Sequence, residues 1–240
     1  MLDCISVENM RLSDQQTIAE LVPSLELMGR AAEGVFRAEA WQGPVAIVAG
    51  SGNNGGDGFA LAVLLHRANI PCTMFTVGSR LSDDSAYYAN LTRQAGIPIL
   101  PLDQGDLTRF RTVVDCLLGT GFQGALRPHY RDAIEKINAS GARIVSVDIN
   151  SGMNGDTGDA ELAVRSQLTV TIGYVKNGLL TENAGKHMEK LVCVDIGIRL
   201  ARQENKICTR EEWENRNPEE RKTTFPCPTW LDMNVIDVTA

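Results

Sequence analysis

The chain has 240 residues, 43% of them hydrophobic and 22% charged, and a formal net charge of −7. This composition is typical of a folded globular protein and excludes disorder as the main state. The net acidity argues against nucleic acid as a partner. No apolar run reaches the roughly 18 residues of a membrane span, and the first residues lack a secretory leader, so we expect a cytoplasmic protein.

The first 40 residues predict two helices. Ser13 followed by Gln16 resembles a capping box, and Pro23-Ser24 would stop the first helix and cap the second. Apolar residues at helical spacing form a stripe on the second helix, made of Leu25, Met28, Ala32 and Val35. Such a stripe has to be covered, either by a second copy of the chain or by the chain's own sheet.

From residue 43 onward, short apolar runs alternate with helical stretches. The predicted strands are Val45–Gly50, Cys72–Val77, Ile97–Leu100, Thr112–Leu117, Arg143–Ile149, Leu168–Gly173 and Leu191–Ile196. Helices are predicted at 56–68, 82–95 and 127–139. This alternation favours a mostly parallel sheet with helices on both faces, whose site lies beyond the carboxyl ends of the strands.

The last segment, residues 204–240, has weak periodicity but contains Trp213 and Trp230, so we expect it to dock rather than to be disordered. The six cysteines are scattered, which predicts free thiols, and the three histidines lie too far apart in the sequence to suggest a zinc site.

The first predicted strand runs into a glycine-rich loop, with five glycines in the ten residues from Ala49 to Gly58. Glycines there let backbone N–H groups face a phosphate at the start of the next helix. The side chains of Asn53, Asn54 and Asp57 add oxygens that suit a hard cation or a polar ring.

An NAD-dependent dehydrogenase is an alternative interpretation of this loop. Gly50, Gly52 and Gly55 fit the dinucleotide fingerprint only in part, because the second strand ends in Thr76–Arg80 without the acid that would hold a ribose. The loop also lacks the Gly-Lys-Ser/Thr element of a phosphate-binding P-loop. Both absences disfavour these classes.

Two further predicted strands end in acids. Asp115 precedes a glycine-containing loop, and Asp148 precedes Ser151 and Gly152. A buried carboxylate needs a cation or hydrogen-bond donors, although Asp115 could simply cap the next turn. Because parallel strands end at one edge of a sheet, the three strand ends predict a single site.

The stretches GSGNNGGDG, VVDCLLGTG and VDINSG, with DTG close behind, resemble the YjeF N-terminal domain, the NAD(P)H-hydrate epimerase family. The resemblance extends over about residues 9–200 and includes Leu27–Ala32 and Lys176–Leu179. Asn150 stands where the family commonly has proline, and Gly29 where it has glutamate. The resemblance implies a Rossmann-like three-layer αβα sandwich with a mostly parallel sheet, a domain over residues 1–203 with a helical element at 9–40, and an unmatched tail at 204–240.

The resemblance also implies an isomerase that interconverts the R and S epimers of hydrated NADH or NADPH, forms homodimers and binds one potassium ion per subunit. Residues that would hold the ion are Asn54, Asp115 and Ser151. Residues that would contact the hydrated nucleotide are Asn53, Asn54, Gly55, Gly56, Asp57, Gly119, Thr120, Gly121, Phe122, Gln123, Gly124, Ala125 and Asp148. The dehydratase often fused to this domain would reside on a separate polypeptide and act as a functional partner.

Carboxylate side chains can carry out the proton transfers that such a reaction needs. The hydrate is a hemiaminal, so inversion needs ring opening or loss and return of hydroxide, with proton transfer by a carboxylate of tuned pKa. We predict Asp148 as the acid/base, with Asp57 as second candidate, and Lys176 as a weaker candidate for orienting the substrate. The alternative is a non-catalytic module of this family that binds proteins.

Overall fold

The computed structural model describes residues 1–78 and 80–239; Ser79, two residues after the second predicted strand in the sequence, and Ala240, the last residue of the predicted tail, lie outside the described residues. The helices are α1 (Val7–Glu20), α2 (Ser24–Ala38), α3 (Asn53–Arg67), α4 (Asp83–Gln94), α5 (Pro128–Asn138), α6 (Glu182–Gly185) and α7 (Arg210–Glu214). The strands are β1 (Leu2–Ile5), β2 (Val45–Ala49), β3 (Cys72–Thr76), β4 (Ile99–Pro101), β5 (Thr112–Cys116), β6 (Arg143–Val147), β7 (Leu168–Ile172), β8 (Val175–Lys176), β9 (Leu191–Asp195), β10 (Asn205–Cys208), β11 (Thr224–Pro226) and β12 (Ile236–Asp237).

The main sheet has eight strands in the order β12-β9-β7-β6-β5-β2-β3-β4, and every pair in it is parallel. Strand β2 shows why helices cover both faces. Its residues Val45 and Ile47 pack with α2, α3 and α4, whereas Ala46 and Val48 pack with α5 on the opposite face. The predicted three-layer αβα sandwich with a parallel sheet is therefore confirmed.

The predicted strands and helices between residues 45 and 196 are all present, with small shifts in their bounds. The largest shift is at the start of α3, which begins at Asn53 instead of residue 56. Sequence analysis missed five short strands, β1, β8, β10, β11 and β12, because two to four residues give no measurable periodicity.

Four of these short strands form a second sheet in the order β11-β10-β1-β8. Strand β1 runs antiparallel to β10 and parallel to β8, with Ile5 opposite Lys176. The second sheet therefore joins the amino-terminal strand to the tail and to a lysine that the sequence analysis singled out.

The tail docks onto the body of the chain, as the sequence predicts. The indole N–H of Trp230 donates to Leu179 O at 3.1 Å, strand β10 pairs with β1, and strand β12 extends the main sheet beside β9. The indole N–H of Trp213 donates to Thr224 O at 3.1 Å and so joins two parts of the tail itself.

The predicted capping box at Ser13 is wrong. Helix α1 begins earlier, with Ser6 as its N-cap, and Ser13 is a buried residue whose hydroxyl accepts from Ala201 N at 2.9 Å. Ser24 does not cap α2 either, because it is the first helical residue after Pro23. The polar pattern that suggested a cap instead serves contacts inside the fold.

The stripe on α2 does not need a second copy of the chain to cover it. Met28, Ala32 and Val35 are at most 6% exposed and pack in the core of the main sheet, while Leu25 is part-buried. The argument from this stripe to a homodimer is therefore wrong, and its alternative, packing on the chain's own sheet, is correct.

All six cysteines are free thiols. Among the described residues, no helix combines the length and the apolar character that a membrane span requires.

Glu204, at the start of the tail, fixes the beginning of α1. Its carboxylate accepts from Ser6 N at 2.6 Å and from Ser6 Oγ at 2.9 Å. Burial opposes the charged form, but the bonds from Ser6 and Arg202 prevail and lower the pKa of Glu204.

We predict that Glu204→Ala lowers the free energy of unfolding by about 1–2 kcal/mol, the usual effect of losing hydrogen bonds to a charged group, while Ser6 remains the N-cap. Because the pKa of Glu204 is lowered in the folded chain, the part of the difference that depends on its charge should be full above about pH 4.3 and should be lost as the pH falls through the folded pKa. Urea unfolding at several pH values measures it. The exposed Glu135→Ala on α5 is the control; equal effects of the two variants would contradict the prediction.

Candidate active site

The site lies where the strand order of the main sheet reverses, between β2 and β5. Ala49 pairs with Cys116, so the loops that follow these strands run side by side. They touch so closely that a Cβ on Gly50 would lie 1.9 Å from Leu117 O, which excludes any other residue at position 50. The glycine-rich loop is therefore needed for packing as well as for exposing its backbone.

Asp148 follows β6 directly and adopts a left-handed backbone conformation with φ of 68°. Such a conformation is strained for a residue with a side chain and is found mostly at functional sites. Oδ1 accepts from Lys176 Nζ at 2.6 Å, and Oδ2 accepts from Thr120 N at 3.1 Å. A Cβ on Gly119 would lie 2.9 Å from Oδ2, so the missing side chain there makes room for the carboxylate.

Lys176 is only 1% exposed, whereas a lysine near the end of a strand is usually solvated. Its ammonium donates to Asp148 Oδ1, to Thr171 Oγ1 at 3.1 Å and to Ile172 O at 2.7 Å. An ammonium has three donors, so all are used within the chain. Lys176 therefore holds Asp148 in place and balances its charge.

Asp115 is fully buried at the end of β5 and is bound by four neutral donors. Oδ1 accepts from Ser151 Oγ at 2.5 Å and from Leu117 N at 3.2 Å, and Oδ2 accepts from Ser151 N at 2.9 Å and from Ser146 Oγ at 3.0 Å. Burial nevertheless raises the pKa of Asp115. Asp115 thus caps the following turn, as the simpler interpretation proposed, and also anchors the loop that carries Ser151.

Asn150, at the family's proline position, is buried and holds the same loop from the other side. Its amide nitrogen reaches Val164 O and His187 O at 3.0 and 2.9 Å, and its oxygen accepts from Thr169 Oγ1 at 2.6 Å. These bonds replace the stiffness of a proline, so the loop keeps its place after Asp148.

Asn54 differs from these satisfied groups. It lies in the first turn of α3, is 8% exposed and lines the cavity, yet neither polar atom of its amide has a hydrogen-bond partner within the described part of the chain. A buried amide without partners is costly, which indicates that a ligand completes it.

The strand ends open into a cavity of about 760 Å³. The predicted nucleotide-binding residues that line it are Asn53, Asn54, Asp57, Gly119, Thr120, Gly121, Phe122, Gln123, Ala125 and Asp148. Gly55 and Gly56 are buried in the first turn of α3, and Gly124 lines a neighbouring cleft. Asp115 and Ser151 lie buried behind the cavity wall. The roles of all these residues stay predictions.

Helix α1 supplies a wall of the cavity that sequence analysis missed. Its lining residues follow helical spacing along one face and are Val7, Met10, Arg11, Asp14, Gln15 and Ile18. Arg127, before α5, also lines the cavity. The sequence signal that could have identified Asp14 is its helical spacing from Met10 and Thr17. These three residues share one face of α1, and Met10 and Thr17 are buried.

Two further carboxyl groups of the cavity have raised pKa values. For Asp57, burial and then the negative charges of Asp148 and Asp14 hold the pKa well above its ordinary value. Burial raises the pKa of Asp14 to about 6, with Lys176 lowering it and Asp148 raising it. The pair of Asp148 and Lys176 thus lies beside two carboxyl groups whose pKa values are raised.

Residues 24–178 match the family described as YjeF-related protein N-terminus. The chain belongs to this family. Members of it include proteins named NAD(P)H-hydrate epimerase in Lentilactobacillus buchneri, 36% identical over 82% of this chain and 96% of that protein, and in Limosilactobacillus reuteri, 40% identical over 76% and 89%.

Two other similar proteins extend the comparison. A Coxiella burnetii protein named bifunctional NAD(P)H-hydrate repair enzyme Nnr is 34% identical over 78% of this chain, which spans 39% of its length. The crystal structure of the yeast protein YNL200c superposes with a TM-score of 0.67, covers 80% of this chain and 88% of its own, and is 21% identical, so it supports the fold.

We predict that Lys176→Met lowers the free energy of unfolding by about 3–5 kcal/mol, because it leaves Asp148 as a poorly solvated charge without its partner. Thermal and denaturant unfolding measure the change. The double variant Lys176→Met/Asp148→Asn should recover part of it. Lys190→Met, which breaks the exposed pair with Asp232, is the control and should cost about 0–1 kcal/mol. Similar losses for the two lysines would refute the assigned role of the buried pair.

Proposed function

We propose that this protein is an NAD(P)H-hydrate epimerase, an isomerase that interconverts the R and S epimers of hydrated NADH and NADPH. The observation that carries the proposal is the Asp148–Lys176 pair at the cavity, on a member of a family whose similar proteins carry this name. A module that only binds proteins would not need a strained, charge-paired carboxylate facing a cavity of this size.

The chemistry needs proton transfer at one carbon. In the hydrate, the hydroxyl sits on the ring carbon next to the ring nitrogen, so removing its proton while the carbon–nitrogen bond breaks gives an open aldehyde. Closing the ring on the other face inverts the centre. Asp148 is held by Lys176 and by Thr120 N in a fixed position, which suits a general base.

Other groups of the cavity suit the rest of the nucleotide. The start of α3 presents backbone N–H groups beyond Gly52, and a helix N-terminus stabilises phosphate. Arg11 and Arg127 line the same cavity, and guanidinium groups bind phosphate in a bidentate way. We therefore place the phosphates at this end and the hydrated ring near Asp148.

The direct test is chromatographic measurement of epimer interconversion in a hydrate mixture enriched in one epimer, with and without the protein. The proposal expects rapid approach to the equilibrium ratio from either side. Interconversion no faster than in the protein-free mixture would contradict it. Hydride transfer with unmodified NAD would favour a dehydrogenase instead.

We predict that Asp148→Asn keeps the fold and slows epimerisation by roughly a hundredfold or more, the scale of losing a general acid/base. The exposed Asp132→Asn on α5 is the matched control and should keep the wild-type rate. Wild-type turnover in folded Asp148→Asn would move the role to Asp57.

We also propose that a potassium ion binds beside the substrate, one per subunit, at Asn54, Asp115 and Ser151. Two observations support the fit: the amide of Asn54 has no protein partner, and the four donors to the buried Asp115 are all neutral. Oxygen ligands of this kind suit a hard cation. The ion would supply positive charge that holds the oxygens of the substrate, and Ser151 would exchange part of its bonding to Asp115 for it.

Binding of the ion can be measured without an assay of activity. We predict that potassium raises the melting temperature of the wild-type protein relative to tetramethylammonium at equal ionic strength and strengthens substrate binding, because only the smaller ion fits among these oxygens. Asp115→Asn should remove the difference, whereas Asp132→Asn should keep it. Equal melting and binding of the wild type in both salts would refute the ion site.

Three further predictions from the resemblance belong to the same proposal. A homodimer would use the N-terminal helices, where Ile18 of α1 and Leu21 directly after it are 43% and 55% exposed. A dehydratase acting on one epimer would be the functional partner, in keeping with the name of the bifunctional Coxiella protein. A cytoplasmic location would place the enzyme with its nucleotide substrates.

A further inference from the structure

We propose that Asp14 is a second acid–base residue of this site and acts with Asp148 from the α1 wall of the cavity. The inference rests on the proposed epimerase function and deepens it. It concerns a residue outside the matched span of residues 24–178 and outside every motif from which the site was predicted.

The reaction needs two groups that transfer protons. As the ring opens, one group accepts the hydroxyl proton and another donates a proton to the ring nitrogen whose bond to carbon breaks. When the ring closes on the opposite face, the nitrogen gives its proton back and the new hydroxyl receives one. No proton is gained or lost overall, so one donor and one acceptor must exchange roles in every turnover.

The sheet edge provides the acceptor, while Asp57 on α3 holds its proton too firmly to exchange it in every turnover, since burial and the charges of Asp148 and Asp14 keep its pKa well above its ordinary value. Asp148 is ion-paired with Lys176, and the three donors of Lys176 are committed to Asp148, Thr171 and Ile172. A proton taken from Lys176 would leave Asp148 without its cation. The donor is therefore better supplied from a different wall.

Asp14 has the position for this task. It is part-buried on the face of α1 that lines the cavity, and Arg11 lines the same wall. The charges of Lys176 on β8 and of Asp148 after β6 act on the carboxyl group of Asp14. The charge of Asp14 in turn acts on Asp57 of α3. The helix is fixed at its start, since Ser6 binds Glu204 and Val7 N donates to Asp156 Oδ1 at 2.7 Å. The unpartnered amide of Asn54 in the same cavity marks the space between these walls as a place for a ligand.

The pKa of Asp14 also agrees with this role. With a pKa raised to about 6, Asp14 can give up and take back a proton near neutral pH, as a group that exchanges roles in every turnover must. Raising the pH above this value removes the proton that Asp14 would donate. In the free protein kcat/KM should therefore fall as the pH rises through the pKa of Asp14, in both directions alike because the equilibrium between the epimers involves no proton.

The test measures kcat, KM and their pH dependence for Asp14→Asn, starting from each epimer in turn. We expect kcat to fall about a hundredfold in both directions, KM to change little, and the alkaline fall of kcat/KM near pH 6 to disappear. Asp14→Glu keeps a carboxylate and should recover about tenfold of the loss. Glu8→Gln removes an exposed acid from the same helix and is the control that should behave as the wild type. Circular dichroism verifies that α1 remains folded in each variant.

Several outcomes would overturn the inference while the proposed function stands. In each of them the wild-type protein is active. The inference is wrong if Asp14→Asn has the wild-type kcat, if Asp14→Asn changes only KM, or if kcat/KM of Asp14→Asn still falls near pH 6. If Asp14→Asn and Asp14→Glu both lose activity equally while folded, Asp14 only shapes the cavity and the inference is wrong. A wild-type protein that does not accelerate interconversion overturns the proposed function and this inference together.

Discussion

The buried pair of Lys176 and Asp148 is the interaction on which the rest of the structure depends. Its lysine lies on β8 of the second sheet, while its acceptors lie on and after β6 and β7 of the main sheet. One ammonium thus joins the two sheets and fixes the conformation of Asp148. Removing two charges from water is expensive, and the hydrogen bonds that complete the ammonium are what make the pair tolerable in the fold.

The second sheet explains why the tail matters for a site that contains none of its residues. Strand β8 pairs with β1, β1 pairs with β10 of the tail, and Glu204 binds Ser6, the N-cap of the helix that follows β1. Helix α1 and Lys176 are therefore positioned by the two ends of the chain. The family match over residues 24–178 covers the strand ends with their acids, but the α1 wall of the cavity lies before it.

Much of the main sheet and half of the site could be predicted from sequence because the signals were local. A glycine-rich loop between a strand and a helix, and acids such as Asp115 and Asp148 at the ends of apolar runs, can be read without knowing what packs where. Lys176 could not be placed in this way, because its burial depends on the two-residue strand β8 and its pairing with β1. In that pairing Lys176 lies opposite Ile5, which is 171 positions earlier in the sequence. Asp14 was missed for the same reason: its helix is held at the cavity by contacts with residues far along the chain, such as those of Ser6 with Glu204 and of Ser13 with Ala201.

The charges of the cavity follow one rule, that ionised groups are kept few and paired. Asp14, Asp57 and Asp148 have a single buried lysine near them. Burial first, and then the negative charges of the neighbouring carboxylates, raise the pKa values of Asp57 and Asp14. A substrate with phosphate groups would add negative charge and raise the pKa of these acids further if it bound beside them. The start of α3, Arg11 and Arg127 offer positive charge that would offset the phosphates. A hemiaminal carbon needs a proton donor and a proton acceptor to open and close its ring, and carboxyl groups with different surroundings in one cavity are suited to divide these two roles.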